Sequence, residues 1–427
     1  MRPFATGGAS DAYINVTAST VRATDMRRLL CIPGRSSHLP PWLTFFIPLV
    51  FAFCSSGTGP SAQGDSLAIT NGTLIDGTGA AAVRDAVVVI EDGRITAVGP
   101  AGAVSVPGWL QTVDVNGATI LPGFINAHVH EAFDREHLRA WAQEGVTSVR
   151  DLCGPSDFSF RDEVGRDPHC SRLIAAGPML SVANGYPLVP WGSRYMLAVT
   201  SADDAREKVD QLLTSGADII KIAIESGQSF NMQIPTLSPV EASAIVETAH
   251  QHGTVVSAHL LVSKDLNEAV EARADDIGHM VVDNLPDSLI GAMVRNGTYW
   301  VPTIELWKNV GQGLGEVAIN NLRRFVAAGG QVVLGTDYAG YNKPFQLGMP
   351  MHEIEWMQEA GMTQMEIIIA ATKHAAHVCN RDRDLGTLET GKIADVLVVN
   401  GDPLQDLHAL EQVRLVLRNG VVIRSKL

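Results

Sequence analysis

The sequence lacks four things, and each absence narrows what the chain can do. It has no excess of basic residues: 46 Asp and Glu against 32 Lys and Arg give a formal net charge of −14. A surface of that sign repels phosphates, which argues against nucleic acid as a partner. It has no cysteine framework. Of five cysteines, Cys31 and Cys54 precede the first β-like segment, and Cys153, Cys170 and Cys379 lack zinc-finger spacing. Cys153 and Cys170 either pair after export or remain buried thiols. It has no short repeat of the solenoid type. Finally, it has no apolar run long enough for a comfortable membrane span. The longest, residues 42–53, is about the length of a signal-peptide core and contains Pro48.

That run has the flanks of an export signal. Met26-Arg27-Arg28 lies upstream, and a Ser/Gly-rich stretch follows from Ser55 to Gly64. Residues 1–62 are therefore expected to be an export signal or a disordered leader, with Met26 a candidate start. The protein is expected to be periplasmic or secreted, with Cys54 a candidate lipid attachment point, or cytoplasmic if the leader is not a signal. The first 62 residues carry five arginines and two aspartates, so the acidity belongs to the remainder.

The remainder reads as β-structure at both ends around an alternating middle. Val87-Val-Val-Ile90 and Arg94-Ile-Thr-Ala-Val98 flank the turn signal Glu91-Asp-Gly93. Val413-Arg-Leu-Val-Leu417 and Val421-Val-Ile423 flank Arg418-Asn-Gly420. A small β-sandwich domain built from both termini, residues 63–120 and 381–427, is expected. Between them, strand-like runs occur at 119–127, 147–152, 172–180, 218–224, 254–260, 275–280, 299–304 and 331–337, separated by helical stretches. Ser238-Pro-Val-Glu241 and Thr363-Gln-Met-Glu366 are capping boxes, the second expected to open a helix through Cys379. Eight apolar strands alternating with helices predict an α/β fold, a (β/α)8 TIM barrel over 121–380.

Six residues at the ends of these strands carry the chemistry. They are His128 and His130, then Lys221, His259, His279 and Asp337. Imidazole and carboxylate are ligands for divalent transition metals, and parallel barrels place their chemistry at the carboxyl ends of strands. His128 and His130 are two apart on a strand, so both point to one side. Lys221 is the odd member, because an ammonium repels a cation. Either it pairs with Asp218 or Glu225, or burial lowers its pKa and the free amine adds carbon dioxide. The resulting carbamate is a carboxylate able to bridge two metals. Other histidines fit no such pattern. His250 and His252 lie at a helix end before Gly253, His374 and His377 on the last barrel helix, and His352-Glu353 lacks the second His of a metalloprotease motif.

Leu121-Pro-Gly-Phe-Ile-Asn-Ala-His-Val-His130, Glu144-Gly-Val-Thr-Ser-Val-Arg-Asp151, Gly216-Ala-Asp-Ile-Ile-Lys221, Gly335-Thr-Asp337 and Gly386-Thr-Leu-Glu-Thr-Gly-Lys-Ile-Ala-Asp395 resemble the amidohydrolase superfamily. The likeness is to the binuclear branch with a carboxylated lysine, and to its imidazolonepropionase-like and prolidase-like members. The resemblance implies two divalent metal ions, with Zn2+ expected. His128 and His130 would bind the more buried ion and His259 and His279 the more exposed one, with a CO2-derived carbamate on Lys221 bridging both. Asp337 would ligate the buried ion and act as general base on a metal-bridging hydroxide that attacks an amide or peptide-like carbon–nitrogen bond. The implied partner is a small-molecule amide, and a homo-oligomer follows by family analogy. True imidazolonepropionases use one metal and lack the lysine, which disfavours that activity. Dipeptidase-like members carry a Gly-Gly-His segment after strand 3, where this chain has Ala183-Asn-Gly-Tyr186. Tyr186, Trp191, Arg194 and Tyr338 are the candidate substrate-binding residues. A deaminase or cyclic-amide hydrolase with the same ligands, and a non-catalytic scaffold, are the alternatives.

Overall fold

Asp92 and Gly93, with φ of 51° and 77°, form the two-residue turn that the sequence announces. It joins β2 (Val83–Glu91) to β3 (Arg94–Pro100) as an antiparallel hairpin. In this computed structural model, which describes residues 65–193, 195–339 and 345–427, that hairpin belongs to an eight-stranded sheet drawn from both ends of the chain. The other members are β1 (Leu67–Leu74), β4 (Gln111–Asp114), β5 (Thr119–Pro122), and, from the far end, β16 (Val396–Val399), β17 (Val413–Arg418) and β18 (Val421–Ser425). The leader, including Met26 and Cys54, lies outside the described residues.

The strands form one continuous hydrogen-bonded ladder. The order is β18-β17-β16-β5-β1-β2-β3, with β4 also on β1. The cause is β5, which pairs parallel with β1 and antiparallel with β16 and so welds the two halves together. Ile69, Ile90, Ile120, Val396 and Leu417 fill one buried cluster on it. The run 119–127, which the sequence predicts as a single barrel strand, is two strands. It divides at Gly123, where a Cβ would run into the Thr147 side chain, and the barrel begins with β6 (Phe124–Val129).

The barrel strands continue with β7 (Val146–Asp151), β8 (Arg172–Ala175), β9 (Met179–Val182), β10 (Met196–Val199), β11 (Ile220–Ala223), β12 (Val256–His259), β13 (Asp276–Gly278), β14 (Tyr299–Val301) and β15 (Gln331–Val332). All pair in parallel, as β6-β7-β8 and β10-β9-β11-β12-β13-β14-β15. This is a TIM-barrel-type α/β fold with a separate β domain, but its ladder is interrupted twice. Gly177 (φ 71°) and Pro178, which has no N–H, split the expected third strand into β8 and β9. Beyond β15 the backbone turns irregular, with Asp337 at φ 61° and Ala339 at 62°. Backbone bonds cross both gaps: Asp218 N–H donates to Ala175 O at 3.0 Å, and at the other gap Ala127 N–H donates to Leu334 O, Asp337 N–H to His128 O and His130 N–H to Tyr338 O, each at 2.9 Å.

Helices cover the strands. The helix Pro239–Gln251 starts with its expected capping box, Ser238 with Glu241, and buries Ile245 and Val246. The helix opened by the Thr363/Glu366 box stops at Ala371 instead of running to Cys379. Thr372 leaves the helical region at φ −127°, ψ −84°, its hydroxyl donating to Ile368 O, and a separate short helix Lys373–Val378 follows. No described helix is long and apolar enough to cross a membrane. Arg172, at the start of β8, pairs with Asp395 of the terminal sheet at 2.7 Å, tying the two parts together.

Candidate metal centre

Four of the six sequence-selected residues, His128, His130, His259 and His279, stand within one residue of a strand end, Asp337 comes five residues after β15, and His279 and Asp337 are both in a left-handed backbone conformation. His128 and His130 sit at the end of β6, their rings 5.5 Å apart. His259 ends β12. His279 follows β13 at φ 76°, and Asp337 follows β15 at φ 61°. Such φ values are uncommon for residues with a Cβ and cluster where surrounding structure enforces them. Here the indole N–H of Trp300 donates to His279 O at 2.7 Å, and Asp337 N–H donates to His128 O at 2.9 Å.

The side chains converge. Asp337 Oδ1 lies 3.3 Å from His128 Nε2 and 3.0 Å from His130 Nε2. The rings of His128 and His279 are 4.7 Å apart, and those of His259 and His279 are 4.8 Å apart. Ligand atoms of His128, His279 and Asp337 all lie within 4.8 Å of one another. Gly278 makes room for this: a Cβ there would stand 2.8 Å from His128 and 3.0 Å from Lys221 Nζ.

Lys221 enters from β11 fully buried and pairs with neither Asp218 nor Glu225. Asp218 takes the Arg161 guanidinium and Ala175 N–H, and Glu225 takes Gly227 N–H. The ammonium instead donates to Ser257 Oγ at 3.2 Å, and Ser257 donates to Asp276 Oδ1 at 2.7 Å. Asp276 is held by Arg150 through two bonds of 2.8 and 3.0 Å. Burial pushes Lys221 down to about 7, with Arg150 acting in the same direction and Asp276 opposing.

Ionisation follows from crowding in a dry site. Burial, with the Lys221 charge, holds His128 well below the ordinary imidazole range. Burial, with the His279 charge, does the same to His259, and burial brings His279 down to about 4. For His130, burial is outweighed by the Asp337 carboxylate, and its pKa rises. Burial alone would raise Asp337, but His279, His128 and His130 together hold its carboxyl well below the usual carboxylate range. Neutral imidazoles at His128, His259 and His279 and an ionised carboxylate at Asp337 are the protonation states that metal ligands require. His128 Nδ1, His259 Nε2 and Asp337 Oδ1 are buried without an aligned hydrogen-bond partner among the described residues. Buried polar atoms are seldom left so, and nitrogen and oxygen donors in this number suit a divalent transition metal.

A cleft of about 440 Å³ opens onto this cluster. Tyr186 and Trp191 line it, Tyr186 stacked on the His259 ring at 3.8 Å. Tyr338 does not line it. Its ring packs edge-on against Trp141 at 4.9 Å and His137 at 5.5 Å, so it belongs to the helix packing. Arg194 lies outside the described residues. His250 and His252 pair with Asp275 and Asp210, and His374 with Val332 O, all apart from the cluster. Cys153, Cys170 and Cys379 are free thiols.

Two carboxylates that enter the sequence analysis in other roles, Asp151 in a motif and Glu225 as a partner for Lys221, also stand beside the cluster. Asp151 ends β7, lines the cleft and takes the N–H groups of Ala132 and Cys153. Glu225 is fully buried, its Oε2 3.8 Å from His259 Nε2, and burial raises its pKa to about 7. Both carry the signal that found the other six, a polar residue just after an apolar strand.

Residues 119–423 match the amidohydrolase family. The chain belongs to it. This amidohydrolase is 25% identical to ochratoxinase of Aspergillus niger over 409 residues, covering 81% of this chain and 83% of that protein. It is 25% identical to imidazolonepropionase of Mycolicibacterium smegmatis over 400 residues, covering 83% and 95%. The crystal structure of a Xaa-Pro dipeptidase with bound methionine in the active site superposes with a TM-score of 0.72 at 26% identity. That match covers 84% of this chain and 99% of the dipeptidase. The amidohydrolase is thus an enzyme that hydrolyses carbon–nitrogen bonds, and the scaffold alternative falls.

Proposed function

We propose that the enzyme is a metal-dependent hydrolase of amide or peptide-like substrates that carry a neutral apolar group. The observation that carries this is the set of buried nitrogen and oxygen atoms below the cleft that have no aligned hydrogen-bond partner among the described residues. His128, His130 and Asp337 would hold one divalent ion, His259 and His279 a second, and carboxylated Lys221 would bridge them. Divalent zinc at such a site polarises a carbonyl and acidifies the attacking water. Asp337, ionised in this setting, would take a proton from the attacking water and pass it to the departing nitrogen. The walls hold the substrate. Phe133, Met179, Tyr186, Trp191 and Tyr195 line the cleft, and Leu188, Trp191, Tyr195 and Met232, four of the exposed large apolar side chains, belong to the 188–195 and 228–232 segments beside it.

Metal analysis of the purified protein, followed by a screen of N-acylated amino acids and dipeptides with the zinc-loaded form, tests the proposal. A protein that binds no metal yet hydrolyses such amides would refute it. Trp191→Ala is expected to raise KM for an apolar substrate by about 2–10-fold, the worth of one aromatic contact, with kcat little changed. An unaltered KM would remove Trp191 from the substrate wall.

Carboxylation of Lys221 needs its free amine: the nitrogen lone pair bonds the carbon of CO2 and the nitrogen releases one proton. With the ammonium pushed down to about 7, that form grows from a minority below neutrality to a majority above it. At fixed dissolved CO2, metal-free enzyme given zinc is expected to recover activity faster at pH 8 than at pH 6. A recovery rate that is flat or falls over that range contradicts the carbamate. Lys221→Ala should lose most activity and regain part of it with short-chain carboxylic acids.

A further inference from the structure

Thr303 is placed where a helix N-cap belongs, directly before the helix Ile304–Val310, yet it does not cap that helix. A capping threonine has extended backbone and takes an N–H of the first turn with its hydroxyl. Thr303 instead has φ 47° and ψ 49°, a left-handed conformation rare for a β-branched residue. Its hydroxyl lies 2.9 Å from His279 Nδ1. The N–H groups it leaves are taken by another helix. Glu353, fully buried on the helix Met351–Glu359, accepts from Ile304 N–H with Oε1 and from Glu305 N–H with Oε2, both at 2.8 Å.

We infer that Glu353 is a positioning residue for His279, acting through Thr303. By serving the helix start in place of the threonine, the carboxylate frees the Thr303 hydroxyl and fixes the backbone that aims it. The His279 Nδ1–H then donates to Thr303 Oγ1, which fixes the ring's tautomer and leaves the Nε2 lone pair for the metal. Histidines that bind metals depend on such a partner on their second nitrogen. Glu353 is 74 residues beyond His279 in the chain and 50 beyond Thr303, and it lines neither the cleft nor the donor cluster.

This inference rests on the proposed metal-dependent reading, and the test separates the two. Zinc affinity is measured by competition with a chelator, the absorption spectrum is recorded on cobalt-loaded protein, and thermal unfolding is followed on the metal-free form. These are compared for wild type, Glu353→Gln, Thr303→Val and Thr303→Ser. Glu353→Gln and Thr303→Val are each expected to weaken metal binding by about 10–100-fold and to alter the cobalt bands. Thr303→Ser, which keeps the hydroxyl, should stay near wild type. A Glu353→Gln protein with lowered thermal stability but wild-type affinity and spectrum would show a merely structural carboxylate and overturn the inference. If that variant does not fold, Thr303→Val decides, and unchanged affinity there overturns it equally. A wild-type protein that takes up no metal would instead overturn the reading underneath, and the inference with it.

Discussion

Asp337→Asn enzyme, with its metal content verified, is expected to turn over roughly 10²–10⁴-fold more slowly than wild type, the loss typical of a missing general base. Asparagine keeps the shape of the side chain and removes both its charge and its basicity. Three imidazoles hold Asp337 ionised against the burial that would otherwise raise its pKa, so at neutral pH the wild-type group is always ready to accept a proton. Proton transfer belongs to the transition state, and the penalty should therefore fall on kcat while KM moves little. The measurement is steady-state kinetics on a variant shown to hold the same metal as wild type. Turnover within about threefold of wild type, far short of a lost base, would mean that another group carries the proton. Asp151, the other buried carboxylate in the cleft, would be the first to examine.

The largest effect on stability is expected at Asp276. Its carboxylate and the Arg150 guanidinium are both completely buried and joined by two hydrogen bonds. Arg150 also donates to Ala127 O at 2.6 Å and Val378 O at 2.7 Å, so it braces β6 and the last barrel helix from inside. Removing one partner of such a pair leaves a buried charge uncompensated, which costs about 3–5 kcal/mol. Asp276→Ala should therefore lower the urea midpoint markedly. Removing both charges together, as Arg150→Met with Asp276→Ala, should cost less than the two single changes added. A single-variant loss below about 1 kcal/mol would place the pair in the class of exposed ion pairs and show that water reaches it.

The metal-ligand candidates were legible because burial and charge conflict in the sequence itself. A histidine, lysine or aspartate closing an apolar strand has no bland explanation when it recurs in order along a parallel barrel. The hairpin turns at Asp92-Gly93 and Asn419-Gly420 and both capping boxes were legible because their causes are local. The division at Gly123 was not, since an apolar run gives no sign of which neighbours its two halves will pair with. Nor was the break at Thr372, where a hydroxyl bonding the preceding turn outcompetes the helical pattern. Tyr338 follows Asp337 in sequence but faces Trp141, because successive residues around the left-handed Asp337 point apart. Thr303 and Glu353 could not be singled out, since what distinguishes them is the side chain or helix each one meets across the fold.

One consequence of the welded sheet concerns the order in which the chain is made. β5 passes into β6 across the single residue Gly123, and β5 is held on one side by β16. On the ribosome, the segment bearing His128 and His130 emerges early, while the strand that clamps its root arrives about 270 residues later, roughly 15–55 s at ordinary synthesis rates. The backbone bond from Ala127 to Leu334 also waits for the end of the barrel. The two earliest candidate ligands therefore spend most of synthesis without their final support, and under the proposed metal-dependent reading metal capture would be one of the last events in the protein's maturation. A chain stopped short of Val396 would leave β5 as an open sheet edge, so even a late premature stop should yield an aggregating product instead of a slightly shortened enzyme.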